Sequence, residues 1–162
     1  MPELAEHAAR VIKAATAAKM TLVTAESCTA GALAVQLADA PGAAKTFHGG
    51  FVVYTKENKT AALGVPANLI AAKSAVSRDV AEAMATGALS RCPADLAVAI
   101  TGVAGPEPDE AGNPVGLVYV AGVGRGGPVS VRECNFGKRS REQIRKLTID
   151  EALTLIETLL ET

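Results

Sequence analysis

Apolar residues along this chain alternate between a near-helical and a near-strand period. Leu4, Ala8, Val11, Ile12 and Ala15 fall at helical spacing, so residues 3–19 are predicted to form an amphipathic helix. Thr21 to Ala25 follows as a short strand, and 29–39 as a helix that stops before Pro41 and Gly42. Residues 49–56, GGFVVYTK, open on two glycines and are rich in β-formers. Residues 57–73 read as two short helical pieces broken at Gly64-Val65-Pro66. Ser77 is placed to cap a helix running to about Arg91, with Asp79 near its positive end.

The second half continues the alternation. DLAVAIT, 95–101, is a short apolar run of the kind found in a buried strand. A Gly-, Pro- and acid-rich loop covers 102–114. VGLVYVAGVG and PVSVRECNF read as a hairpin joined through Arg125-Gly126-Gly127. Ser140 and Gln143 have capping-box spacing, and they open a helix whose Ile149, Ala152, Leu153, Ile156 and Leu160 form one stripe. Helices and strands in alternation imply one α/β layered domain over 1–162. The late hairpin makes its sheet mixed.

Composition narrows the classes. The 162 residues are 49% hydrophobic but only 3% aromatic, so the core is built from Ala, Val, Leu and Ile. With 16 basic and 17 acidic side chains the net charge is −1, which argues against a broad nucleic-acid surface. The three cysteines, Cys28, Cys92 and Cys134, include no CxxC pair. A disulfide framework or zinc site is not expected, and a reducing cytoplasm is the expected setting. Glu3, Glu6, Arg10 and Lys13 interrupt the first helix, so no signal peptide is read there, and no apolar run is long enough to span a membrane. No metal-ligand spacing such as HExxH occurs, and no cofactor is called for.

Ligands in such sheets bind in loops at the carboxyl ends of strands. Three segments qualify: Glu26 to Gly31, Tyr54 to Lys59, and Thr101 to Pro106. Ser27 lies between a strand and a helix start, where backbone N–H groups favour an alkoxide or a bound anion. Capping of the helix by Ser27 or Thr29 is the plainer reading. Cys28 is a rival nucleophile, with His48 as its base. A serine needs a base, and a lysine serves if its pKa falls from roughly 10.4 towards 7. Lys59 follows the 49–56 strand and Lys56 ends it, and spacing does not choose between them. Gly102 and Gly105 in TGVAGP permit close backbone approach to an oxyanion or phosphate. Lys138, Arg139, Arg141, Arg145 and Lys146 cluster at the last helix start, where one arginine could pair with a ligand phosphate.

TAESCTAG, GGFVVYTKENK and AITGVAGP, in that order and with GVP, AVS and NPVG around them, resemble the CinA C-terminal domain family. The resemblance covers nearly the whole chain and implies a three-layer α/β/α fold with a mixed, mostly parallel sheet. It implies a metal-independent serine amidase that converts nicotinamide mononucleotide and water to nicotinate mononucleotide and ammonia. Ser27 matches the family nucleophile, Lys59 its lysine with Tyr54 beside it, and Thr101 the Thr/Ser of the third motif. The helix start at Cys28, Thr29 and Gly31, together with Thr101-Gly102, is expected to hold the oxyanion. Arg145, and after it Arg139, is expected to hold the phosphate. The expected partner is a small pyridine nucleotide, with no nucleic acid and no membrane, in a homo-oligomer. The alternative is a non-catalytic nucleotide-binding or regulatory module of the competence/damage-inducible family. Glu107-Pro108-Asp109 departs from the Asp-Gly-Gly that relatives often carry after AGP.

Overall fold

The computed structural model describes residues 2–162. Helix α1 (Pro2–Ala17) leads into β1 (Leu22–Glu26), α2 (Ala32–Asp39), a short 3-10 turn (Ala43–Lys45) and β2 (Phe47–Val52). Helices α3 (Lys56–Leu63), α4 (Ala67–Lys73) and α5 (Arg78–Ser90) precede β3 (Leu96–Gly102). The hairpin β4 (Leu117–Gly124) and β5 (Val129–Asn135) then feeds α6 (Arg141–Leu160).

The five strands lie in the order β2-β1-β3-β4-β5. β1 pairs parallel with β2 and β3, whereas β4 is antiparallel to both its neighbours, so β4 alone runs against the rest. Strand period 2 divides the side chains between two cores. Leu96, Val98 and Ile100 of β3 pack with α1, α2 and α6, while Ala97 and Ala99 pack with α5 on the other face. The alanine-rich face lets α5 come close. A Cβ on Gly87 would sit 2.1 Å from the Leu63 carbonyl oxygen, so α5 approaches α3 only through glycine. This is the α/β fold with a mixed sheet that the sequence implied, in three layers.

Among the boundaries that differ from the sequence reading, two matter for the site. α2 begins at Ala32, not at residue 29, because Ala30 (φ 51°) and Gly31 (φ 98°) are left-handed. β2 ends at Val52, because the Thr55 side chain accepts from the Asn58 N–H and starts α3. The connection from β1 crosses one face of the sheet through α2, and that from β2 crosses the other through α3–α5. The strand ends between them form a crevice at a topological switch point.

Candidate active site

Ser27 is the first residue after β1, and its N–H donates to the Ile100 carbonyl of β3. That bond fixes the residue at the end of the sheet, only 7% exposed. Lys59 reaches it from α3. Because Thr55 sets where that helix starts, Lys59 shares an inward face with the buried Leu63, one turn on. Lys59 is 2% exposed, and its Nζ lies 2.8 Å from Ser27 Oγ.

The other Nζ partners are the Val53 carbonyl at 3.1 Å and the Tyr54 carbonyl at 3.3 Å. All three partners are uncharged, and among the described residues no carboxylate pairs with this amine. Burial without a counter-charge lowers the Lys59 pKa to about 8, with Cys28 acting in the opposite direction. A neutral amine has two N–H donors and one lone pair. Carbonyls can only accept, so they take the two N–H groups. The charged amine donates to Ser27 Oγ as well; once it is neutral, the lone pair is left facing the Ser27 hydroxyl, which then donates to it.

Lys56, the other lysine left open by spacing, is half-exposed and ion-paired with Glu110, which raises its pKa. Cys28 is buried, and burial pushes its thiol up to about 12, the wrong direction for a thiolate nucleophile. His48 lies on β2 and is not part of the cavity wall.

Ser27, Cys28, Lys59 and Thr101 form the floor of a cavity of about 630 Å³, within the usual range for small-molecule sites. The buried Thr101 hydroxyl donates to the Ala75 carbonyl and ties β3 to the segment between α4 and α5. Gly102 carries the wall onward, and a Cβ there would lie 2.6 Å from the Val118 side chain. Tyr54 is 54% exposed at the mouth, where its hydroxyl accepts from Arg141 Nη2 at 2.7 Å. Arg141 Nη1 also donates to the Gly105 carbonyl.

The arginine of the cavity is therefore not one of the two expected. Arg145 donates through Nε to the Cys28 carbonyl and Arg139 to the Phe136 carbonyl, and neither lines the cavity. Arg141 sits first in α6, beside the capping Ser140, so the helix start aims it at the strand ends. Thr29 and Gly31 also fall outside the cavity wall.

The cause is Glu26, a residue that the sequence reading passed over. Its buried carboxylate accepts from Thr29 Oγ1 (2.6 Å), the Leu33 N–H (2.9 Å) and the Ala34 N–H (2.9 Å). The positive end of α2 is thus occupied from within and does not face a ligand. An acidic residue seven positions before Leu33 carries no short-range capping signature. Among the described residues, no group of three or more His, Cys, Asp or Glu could hold a metal ion, and no helix is long and apolar enough to cross a membrane.

A family model, the CinA C-terminal domain, matches residues 4–160. A CinA-like protein of Desulfotalea psychrophila is 45% identical over 141 residues, covering 87% of this chain and 34% of that protein. The chain spans between a quarter and about a third of the curated relatives it matches. The crystal structure of the competence/damage inducible protein CihA from Agrobacterium tumefaciens superposes with a TM-score of 0.93 at 40% identity, covering 98% of this chain and 96% of that one. A competence-damaged protein (CinA) superfamily structure from Escherichia coli gives 0.92 at 35% identity, covering 96% and 90%.

Proposed function

The chain belongs to the CinA C-terminal domain family, and we propose that it is a serine–lysine amidohydrolase that hydrolyses the carboxamide of nicotinamide mononucleotide. One observation carries the reading: a buried hydroxyl and a buried amine lie 2.8 Å apart with no carboxylate to keep the amine charged. The ordered sequence motifs support the pyridine-nucleotide substrate.

In this reaction neutral Lys59 takes the Ser27 proton as Oγ attacks the carboxamide carbon. The tetrahedral intermediate carries an oxyanion. Ala30 N–H holds the Ser27 carbonyl at 3.0 Å, so the Cys28 N–H on the same trans peptide points the opposite way. That N–H has no backbone acceptor among the described residues and meets only its own thiol, and Cys28 lines the cavity, which suits it to the oxyanion. The C–N bond breaks as Lys59 returns its proton to the departing nitrogen, releasing ammonia. Lys59 then takes a proton from water as its oxygen attacks the acyl carbon, and returns that proton to Ser27 Oγ as the acyl bond breaks, freeing the acid. Arg141, at the mouth beside Tyr54, holds the phosphate as an anchor remote from the bond that breaks. The active form is metal-independent and acts on a small nucleotide.

The test is ammonia release from nicotinamide mononucleotide. The wild-type protein should release it with a chelator present, and Ser27→Ala should fall to background while keeping the wild-type circular dichroism spectrum. Full turnover by Ser27→Ala would rule the mechanism out. Nucleotide binding without ammonia release in the wild type would favour a regulatory module.

A further inference from the structure

Between β1 and α2 the chain turns through Ser27 to Gly31 without a strand ladder or a regular helix to hold it. The turn contains Ala30 at φ 51°, a left-handed conformation that L-residues disfavour. Two charged side chains grip it from outside the cavity. Glu26 holds Thr29 and the α2 start, as described. On the other side Arg145, from the second turn of α6, donates Nε–H to the Cys28 carbonyl at 2.8 Å. Arg145 borders a separate groove with Leu4, Gln36 and Ile149, not the Ser27 cavity.

Building on the Ser27 reading, we propose that Arg145 is a positioning residue that fixes the nucleophile and its oxyanion donor by clamping the Cys28 carbonyl. The argument follows from peptide planarity. The Ser27–Cys28 plane is set by the Ala30 bond to the Ser27 carbonyl. The Cys28–Thr29 plane is set by Arg145. With both planes fixed, the two backbone torsions of Cys28 are fixed too. The plane that carries the Cys28 N–H is thus held by the Ala30 bond and braced from its far side by Arg145, which limits its rotation beside Ser27. A guanidinium suits this role because it stays charged and its planar Nε–H is directional.

Positioning and phosphate-binding roles for Arg145 separate experimentally. Arg145→Met, Arg145→Gln and Arg145→Lys are compared with wild type in three assays: turnover of nicotinamide mononucleotide, turnover of nicotinamide riboside, and phosphonylation by a fluorophosphonate. The riboside carries the same amide and no phosphate. In phosphonylation Ser27 Oγ bonds to phosphorus, fluoride leaves and Lys59 takes the proton. A positioning role predicts kcat about 10–100-fold lower in Arg145→Met and Arg145→Gln, with KM within about twofold. The same factor should appear on both amides and in the phosphonylation rate, and Arg145→Lys should recover part of it. A defect confined to KM for the phosphorylated substrate would overturn the proposal, as would unchanged kcat and labelling. If the wild type hydrolyses neither amide, the substrate reading fails and the labelling rates still decide Arg145. If the wild type is not labelled at Ser27, both fail. Should Arg145→Met not fold, the glutamine and lysine variants carry the same comparison.

Discussion

Two buried ionisable side chains flank Ser27, and the fold treats them in opposite ways. At the start of α2, Glu26 is surrounded by three donors, two of them N–H groups of the helix's first turn. At the start of α3, Lys59 meets only carbonyls and a hydroxyl. The first arrangement stabilises a charge, and the second removes the reason to carry one. A satisfied buried carboxylate is part of the architecture. A buried amine without a counter-ion opposes stability and gains a lone pair that can accept a proton. The contrast separates the residue that builds the turn from the residue that does the chemistry, although both lie within one loop of the nucleophile.

Variants at the two sites should therefore diverge in sign. Lys59→Met gives the largest effect. It should lower the rate of ammonia release by on the order of 10²–10⁴, yet raise unfolding free energy by roughly 1–3 kcal/mol, since an apolar side chain replaces a penalised amine. Activity loss accompanied by destabilisation would break the comparison. Glu26→Gln should do the reverse, because its amide NH₂ would face helix N–H donors. Urea unfolding should show a loss of about 1–3 kcal/mol, with a smaller fall in turnover than at Lys59. A stability unchanged by Glu26→Gln would mean that the α2 start does not depend on that carboxylate.

The pH profile sharpens the contrast further. Only neutral Lys59 can act as base, and its pKa is lowered to about 8. The value of kcat/KM should climb about tenfold per pH unit below that point and level off above it. Stability should follow the same sign. The unfolded chain holds the lysine proton up to an ordinary value of 10.5, so the native state gains on the unfolded state as pH rises from about 8 to that value. Stability falling over this window would contradict a buried, uncompensated amine. The smallest effect belongs to Lys56→Met. This half-exposed lysine pairs with Glu110 on the cavity wall and makes no hydrogen bond to Ser27 or Lys59, so its loss should leave the melting temperature close to wild type and change turnover less than either substitution above.

The difference between the two regions also explains what the sequence could reveal. Hydrophobic periodicity carried the order of helices and strands, because each element buries one face. The mixed sheet followed from the hairpin at 115–136. Ser27 and Lys59 were visible through ordered motifs, but their distance was not. Spacing left Lys59 and Lys56 open and the family resemblance pointed to Lys59; the phase of α3, set by Thr55 and Leu63 together, gives the physical reason. The α2 start was misplaced because Glu26 caps it from a strand, a contact no local capping pattern describes. Arg141 was hidden among five basic residues, since which of them faces the cavity depends on how α6 docks on the sheet.

The account rests on an amine at Lys59 that readily gives up its charge. The most direct test is a titration of ¹³Cε-lysine NMR resonances, with the Lys59 signal assigned by its disappearance in Lys59→Met. A midpoint near 8 is predicted. A midpoint at or above the ordinary lysine value of 10.5 would contradict it, because the amine beside Ser27 would then be charged whenever the protein is at work.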